Sequence, residues 1–349
     1  MNDRSADVPA GVLRRPSGST LVFEQLDSEV LRGNPLDDPH RRDLVTYLPP
    51  GYDGARRYPV IYCLTGFTGT GRGLLNTSPW TEGLHERLDR LIAAGDVMPL
   101  IAVLPDCFTL LGGSQYLNSA ATGRYEDYLL EEIVPHVDRR FATAARPGCR
   151  AVMGKSSGGY GAFMQAMRHP DVFGLAACHS GDMYFEYCYK TEFPKLANGL
   201  WRHGGVRAFL EQFRRQPKKA SSDIAVLNIL AMAACYSPDP DGPLGIGLPI
   251  DPQTGIVQDE VWKRWLACDP VMLVERYADN LRRLRLLFLD CGTRDEFHLH
   301  IGAREMSRRL QRLGIEHVHE EFDDTHMGLT YRYDVSLRRV SDAFEDPGA

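Results

Sequence analysis

The sequence lacks the marks of several protein classes. It has no basic excess: 40 Lys and Arg stand against 46 Asp and Glu, a net charge of −6, so no nucleic-acid surface is expected. The short basic clusters at Arg214–Arg215 with Lys218–Lys219, and at Arg282, Arg283 and Arg285, read as solvated helix faces. None of the eight cysteines forms a Cys-x-x-Cys pair, which excludes a thiolate zinc site of the usual spacing. They are scattered, and several lie in apolar runs, as Cys63 does in Val60–Leu64, so they read as small buried hydrophobes. The first seven residues carry charges and no apolar stretch, and no membrane span is visible. With the cysteines, this predicts a cytoplasmic protein. No internal repeat or low-complexity tract interrupts the chain. His298, His300, His317 and His319 invite a metal reading, but His319-Glu320 is not followed by a histidine at the zincin spacing, so neither metal nor organic cofactor is expected.

What is present is an ordinary globular composition, with 43% hydrophobic residues over 349 positions, enough for a sizeable core. Residues 1–18 mix Arg, Pro, Gly and Asp without periodicity and predict a loose arm, followed by one domain over 19–349. Strand-like runs stand at Thr20–Phe23, Asp43–Leu48, Pro59–Leu64, Leu100–Leu104, Ala151–Met153, Phe173–Cys178, Leu286–Leu289 and His317–Phe322. The continuous apolar ones suit parallel strands covered on both faces. Helical spacing separates them, as in Tyr125, Leu129, Ile133, Val137 and Phe141. The alternation predicts an α/β protein with a mostly parallel central sheet flanked by helices. Only residues 182–265 break the rhythm. They are read as an insertion capping one end of the sheet, with a helical stretch near Val206–Phe213 and a Pro/Gly-rich loop from Pro238 to Gly255.

The segment Gly154-Lys155-Ser156-Ser157-Gly158 matches Gly-x-Ser-x-Gly. An apolar strand precedes it and a helix pattern follows, which is the setting of a nucleophile elbow. The flanking glycines are needed because the turn passes too close to its neighbours for side chains. A serine hydroxyl needs a base within hydrogen-bond reach. His326, in the loop after the last strand, is the best placed of the eleven histidines. An acid should follow the preceding strand, where Asp290 and Asp295 both qualify. Asp290 ends the strand and can be spent on loop amides, whereas Asp295, beyond Gly292, can reach the next loop, and is preferred. The oxyanion would be met by two backbone amides, those of Ser157 and of Phe67 in Thr65-Gly66-Phe67.

On these pieces, with Tyr47-Leu48-Pro49-Pro50-Gly51-Tyr52-Asp53 and the run continuing Gly-Gly-Tyr-Gly-Ala to Ala162, the chain resembles the esterase family that includes esterase D, enterochelin esterase and bacterial mycolyltransferases. The resemblance spans roughly 20–340 and implies the α/β-hydrolase fold and metal-independent hydrolysis of small or medium acyl or aryl esters by Ser156, Asp295 and His326. Two departures are Thr65-Gly66 and Lys155-Ser156-Ser157-Gly158, where many members have His-Gly and His-Ser-Met-Gly. Acyl transfer through the same acyl-enzyme, a thioesterase like S-formylglutathione hydrolase, and a non-enzymatic scaffold remain as alternatives. The insertion opens on Met183-Tyr184-Phe185-Glu186-Tyr187. Tyr184 and Phe185 are expected to wall a substrate pocket, or else to pack the insertion or form a homo-oligomer contact.

Overall fold

The computed structural model describes residues 11–76 and 78–348. Its frame is a nine-stranded sheet. The chain forms β1 (Gly11–Arg14), β2 (Thr20–Asp27), β3 (Arg41–Leu48), β4 (Val60–Leu64), β5 (Ile101–Pro105), a two-residue hairpin pair β6 (Asn118–Ser119) and β7 (Gly123–Arg124), then β8 (Arg150–Lys155), β9 (Leu175–His179), β10 (Leu286–Gly292) and β11 (Val318–Phe322). The main sheet has the order β1-β2-β3-β5-β4-β8-β9-β10-β11. The first three pairings are antiparallel and the other five parallel. All eight expected strands are present, several extended by a few residues.

The apolar runs owe their lack of alternation to burial on both faces. In β4, Val60, Tyr62 and Leu64 join one core, while Ile61 and Cys63 join the other. The helices Leu84–Ala93 and Tyr333–Ala343 close the second core. The first takes the helix Ser157–Arg168, the helical stretch from Tyr125 to Arg140 with its π-turn at Tyr128–Ile133, and the helix Leu299–Arg312. The same core continues without a break into the insertion. All eight cysteines are free, and Cys268 alone is not fully buried. No described helix is long and apolar enough to cross a membrane.

Two expectations are corrected. The arm is not loose throughout: Gly11–Arg14 pairs antiparallel with β2 as an edge strand. It was invisible as a strand because all four residues are exposed, so no buried face imposes alternation. Residues 1–10 of the expected arm lie outside the described residues. The insertion is also more regular than expected. It holds the helices Phe193–His203, Val206–Arg215, Ser221–Tyr236 and Asp259–Leu266. The helix Ser221–Tyr236 is buried from Ile229 through Tyr236 on every side. It therefore carries no polar face, and without one there is no stripe to read.

Asp269 fastens this cap to the body. Fully buried, it accepts from the amides of Tyr184 at 3.0 Å, Phe185 at 2.7 Å and Val271 at 2.9 Å. Burial pushes its carboxyl up to about 6, against the pull of those three amides and the charge of Arg309. The folded state thus keeps a proton that the unfolded chain, at its ordinary 3.8, has lost. Stability from this site is fullest below the unfolded value and falls as pH rises through 6. Urea unfolding should show the native protein losing ground to Asp269→Asn between about pH 4 and 7. A stability difference that stays flat over that interval would count against this assignment.

Candidate active site

The order of strands reverses around β4, which lies between β5 and β8, and sites in such sheets form at the carboxyl ends of strands beside the reversal. The loops leaving β4, β8, β9, β10 and β11 carry, in turn, Phe67, Ser156, Asp182, Asp295 and His326. Backbone strain collects here. Thr68, Gln115, Tyr116, Ser156, Ser180, Tyr184 and His298 all have φ between +42° and +66° though none is glycine. Each such residue costs energy, and such costs gather at functional sites.

Ser156 stands in the turn between β8 and the helix Ser157–Arg168, with φ 58° and ψ −126°. Its amide donates to the carbonyl of His179 on β9 at 2.9 Å. The turn is tight enough that a Cβ at Gly154 would overlap the backbone of Gly158, and one at Gly158 the backbone of Leu64. That is the steric reason for both glycines. The hydroxyl of Ser156 lies 3.1 Å from Nε2 of His326, and Nδ1 of His326 lies 2.7 Å from Oδ2 of Asp295. Asp295 has a fully buried side chain. Burial alone would raise its carboxyl, but the hydrogen bond and charge of His326 and the amides of Phe297 and Leu299 outweigh it, holding Asp295 below the ordinary carboxylate value. The structure thus brings Ser156, His326 and Asp295 into one chain of hydrogen bonds.

Residues not singled out in the sequence complete the setting. Glu296 accepts from the His326 amide at 2.8 Å, and the Phe297 ring meets the imidazole edge-on at 4.8 Å. Burial lowers the Lys155 ammonium below its usual value, against the charges of Asp295, Asp182 and Glu296. Lys155 fills the variable position of Gly-x-Ser-x-Gly, where the motif fixes no residue type, and no motif marks Glu296 or Phe297. Their only signal is proximity in the chain to Ser156 or Asp295.

Gly66 lies against the elbow, its Cβ position 3.3 Å from Ser156 Cβ. The next amides are spent, Thr68 on Gly112 and Gly69 on Gly66. Tyr116 holds the loop by donating to the Thr65 carbonyl at 2.7 Å. The loop after β4, which carries Phe67, and the helix start at Ser157 thus border Ser156 from two elements.

Asp290 does not serve the amides expected of it. Its Oδ1 pairs with Nδ1 of His179 at 2.7 Å and its Oδ2 accepts from Nε of Arg332 at 2.8 Å, while Nε2 of His179 meets the hydroxyl of Ser336 at 2.8 Å. Phe185 is corrected as a pocket residue. It is fully buried and packed against Tyr160, Tyr189 and Tyr236, so it belongs to the core of the cap. Tyr184 is half-buried and stacks edge-on with Tyr187 at 4.9 Å. Among the described residues no three His, Cys, Asp or Glu side chains converge to hold a metal. His317 is engaged with Ser307 and the Ile315 carbonyl instead.

A mostly parallel sheet, a serine at positive φ between strand and helix, and a histidine and aspartate arriving from the last two strand loops define an α/β-hydrolase fold. A family model described as "Putative esterase" matches residues 39–333, and the chain belongs to that family. An endo-1,4-beta-xylanase/feruloyl esterase of Xylanibacter ruminicola is 31% identical over 144 residues, which are 40% of this chain and 19% of that relative's length. Solved structures of similar fold include a ferulic acid esterase, with 20% identity, TM-score 0.58 and coverage of 93% of this chain and 99% of that one. An S-formylglutathione hydrolase from Agrobacterium tumefaciens has 15% identity, TM-score 0.58 and coverage of 96% and 99%. At these identities the likeness establishes the fold.

The Asp290 network is buried, so breaking it should act on stability. Asp290→Ala should cost about 3–5 kcal/mol in urea unfolding, because Nδ1 of His179 and Nε of Arg332 lose a buried carboxylate, although Ser336 and Glu320 still meet the other ends of these side chains. A loss of activity with unchanged unfolding would instead place Asp290 in the reacting site.

Proposed function

We propose that the protein hydrolyses carboxylic esters of small or medium acyl or aryl groups through an acyl-enzyme on Ser156. The observation that carries this reading is the Ser156–His326–Asp295 chain of hydrogen bonds at a strained elbow. In the proposed reaction, Nε2 of His326 takes the Ser156 proton as Oγ attacks the ester carbonyl. The amides of Ser157 and Phe67 receive the developing oxyanion, helped by the amino end of the helix Ser157–Arg168. His326 then protonates the departing alcohol, and water, activated by the same imidazole, releases the acid. Asp295 holds the ring so that Nε2 faces the serine and stabilises the imidazolium.

The relatives named as feruloyl esterases support hydroxycinnamoyl esters as the aryl substrates to test first. The S-formylglutathione hydrolase among the similar folds makes thioesters the second class. No resident metal or organic cofactor is part of the proposal. The free cysteines support a cytoplasmic location, and the net charge of −6 supports small-molecule substrates over nucleic acid.

A panel of nitrophenyl esters of graded acyl length, methyl hydroxycinnamates and acyl thioesters tests the reading. Ser156→Ala should keep the fold, lower kcat by about 10³- to 10⁶-fold and abolish fluorophosphonate labelling. His326→Ala should be nearly as damaging, and Asp295→Asn less so, because a poorly oriented base retains some function. Full turnover by Ser156→Ala would reject the proposal, and labelling that persists at another serine would move the nucleophile there. Activity should survive exhaustive chelation; loss restored by added zinc would reject the metal-free mechanism.

The cap gives a separate expectation. Tyr184→Ala should shift the preferred acyl length while leaving fluorophosphonate labelling of Ser156 nearly intact. Phe185→Ala should chiefly lower stability, by about 3–5 kcal/mol, as loss of a buried ring does. An unchanged chain-length profile in Tyr184→Ala would remove that residue from the pocket wall.

A further inference from the structure

The Ser157 side chain is buried and engaged. Its hydroxyl donates to Oδ2 of Asp182 at 3.2 Å. The same oxygen accepts from the Tyr189 hydroxyl at 2.9 Å and from Nε2 of Gln115 at 3.2 Å. Nε2 of Gln115 also reaches the Tyr236 hydroxyl at 2.7 Å. These residues arrive from separate parts of the chain: the start of the helix Ser157–Arg168, the exit of β9, the loop between β5 and β6, and two places in the cap. All five are buried, Asp182 to within 7% of complete cover.

This arrangement costs energy in two ways. Among the described residues no cation sits within ion-pair distance of Asp182, so an acidic group is taken from water with hydrogen bonds as its only direct partners. Burial accordingly raises its carboxyl, against the hydrogen bonds of Tyr189 and Gln115, the charge of His326 and the hydrogen bond of Ser157. Gln115 and Tyr116 are two successive non-glycine residues at positive φ, 51° and 56°, which also costs energy. Apolar residues would fill the same volume at less expense. What they could not do is hold, beside the Ser157 hydroxyl, an acceptor oxygen that Tyr189 and Gln115 fix from two further directions.

We propose that Asp182 is a positioning residue of the oxyanion hole: Tyr189, Gln115 and, through Gln115, Tyr236 hold its carboxyl group where it fixes Ser157 and the first helical turn that aims the Ser157 amide. The inference rests on the esterase reading above and deepens it. Two cap tyrosines thereby help set the place of an oxyanion donor that belongs to the body of the protein. Misplacing a donor affects the transition state more than the bound substrate, so the effect falls on kcat.

The test uses the full chain, a short-acyl nitrophenyl ester and active sites counted by fluorophosphonate titration. Ser157→Ala and Asp182→Asn should each lower kcat per titrated site by about 5- to 50-fold, less than loss of a whole oxyanion donor, with KM changed by about twofold or less. The double variant should be no worse than the worse single one, because both cut the same link. Ser157→Thr, which keeps a hydroxyl, should recover most of kcat, and Tyr236→Phe should fall between wild type and Asp182→Asn. If Asp182→Asn does not fold, Ser157→Ala and Tyr236→Phe, each lacking one oxygen, decide alone. An unchanged kcat per titrated site in Ser157→Ala, or losses that multiply in the double variant, would overturn the proposal. Turnover retained by Ser156→Ala would instead overturn the esterase reading beneath it.

Discussion

The site depends on one close approach. The helix that begins at Ser157 starts almost on top of the end of β4, with Gly158 against the backbone of Leu64 and Thr65. Only a chain without a side chain at that point can bring the two elements so near. The approach forces Ser156 into its positive φ and aims the hydroxyl out of the sheet edge. It also sets the loop after β4 against the elbow, with Gly66 touching Ser156 Cβ. A β8-to-helix turn with room for side chains would leave the serine buried in the layer and the two candidate oxyanion amides apart. The histidine and aspartate loops could then reach nothing useful.

That constraint explains what could be read from the sequence. A steric demand for glycine at fixed spacing leaves letters in the chain, so Ser156 was legible. Burial of both sheet faces leaves unbroken apolar runs, so the central strands were legible too. His326 followed from its place after the last strand. Between Asp290 and Asp295 the sequence offers only position, whereas in three dimensions Asp290 lies within β10 and pairs with His179, and Asp295, beyond it, meets His326. The helices Phe193–His203 and Ser221–Tyr236 were not read. The second of them is buried on every side from Ile229 to Tyr236 and there offers no apolar stripe against a polar face. Gln115 could not be found either, because its partners Asp182, Tyr189 and Tyr236 lie 67, 74 and 121 positions away, and without Gln115 and Ser157 beside it nothing marks Asp182.

The molecule holds a second serine–histidine–aspartate chain, Ser336–His179–Asp290, with hydrogen bonds of 2.8 and 2.7 Å against 3.1 and 2.7 Å at the elbow. Its histidine and aspartate side chains are fully buried, and its serine sits inside the helix Tyr333–Ala343. Hydrogen-bond lengths alone thus do not distinguish the candidate site from a buried network inside the fold. The difference lies in the backbone. Ser156 stands at positive φ in a strained turn between strand and helix, whereas Ser336 sits at ordinary helical geometry, fully buried in the helix Tyr333–Ala343. The inner chain still bears on the outer one, since the His179 carbonyl receives the Ser156 amide.

The wrapped helix Ser221–Tyr236 also bears on how such a protein can be rebuilt. A surface flap can be exchanged between relatives because it carries its own polar exterior and leaves one behind when removed. From Ile229 to Tyr236 this helix carries none: its sides meet the helix Phe193–His203, the β6–β7 hairpin and the aromatic rings of Tyr160, Phe185 and Trp265. Excising residues 182–265 would strip the body of part of its own interior and expose the detached piece on every face. The cap is therefore not a replaceable module grafted onto a finished hydrolase. Recombination or pruning in this chain must cut elsewhere, in the exposed loops whose removal opens no core.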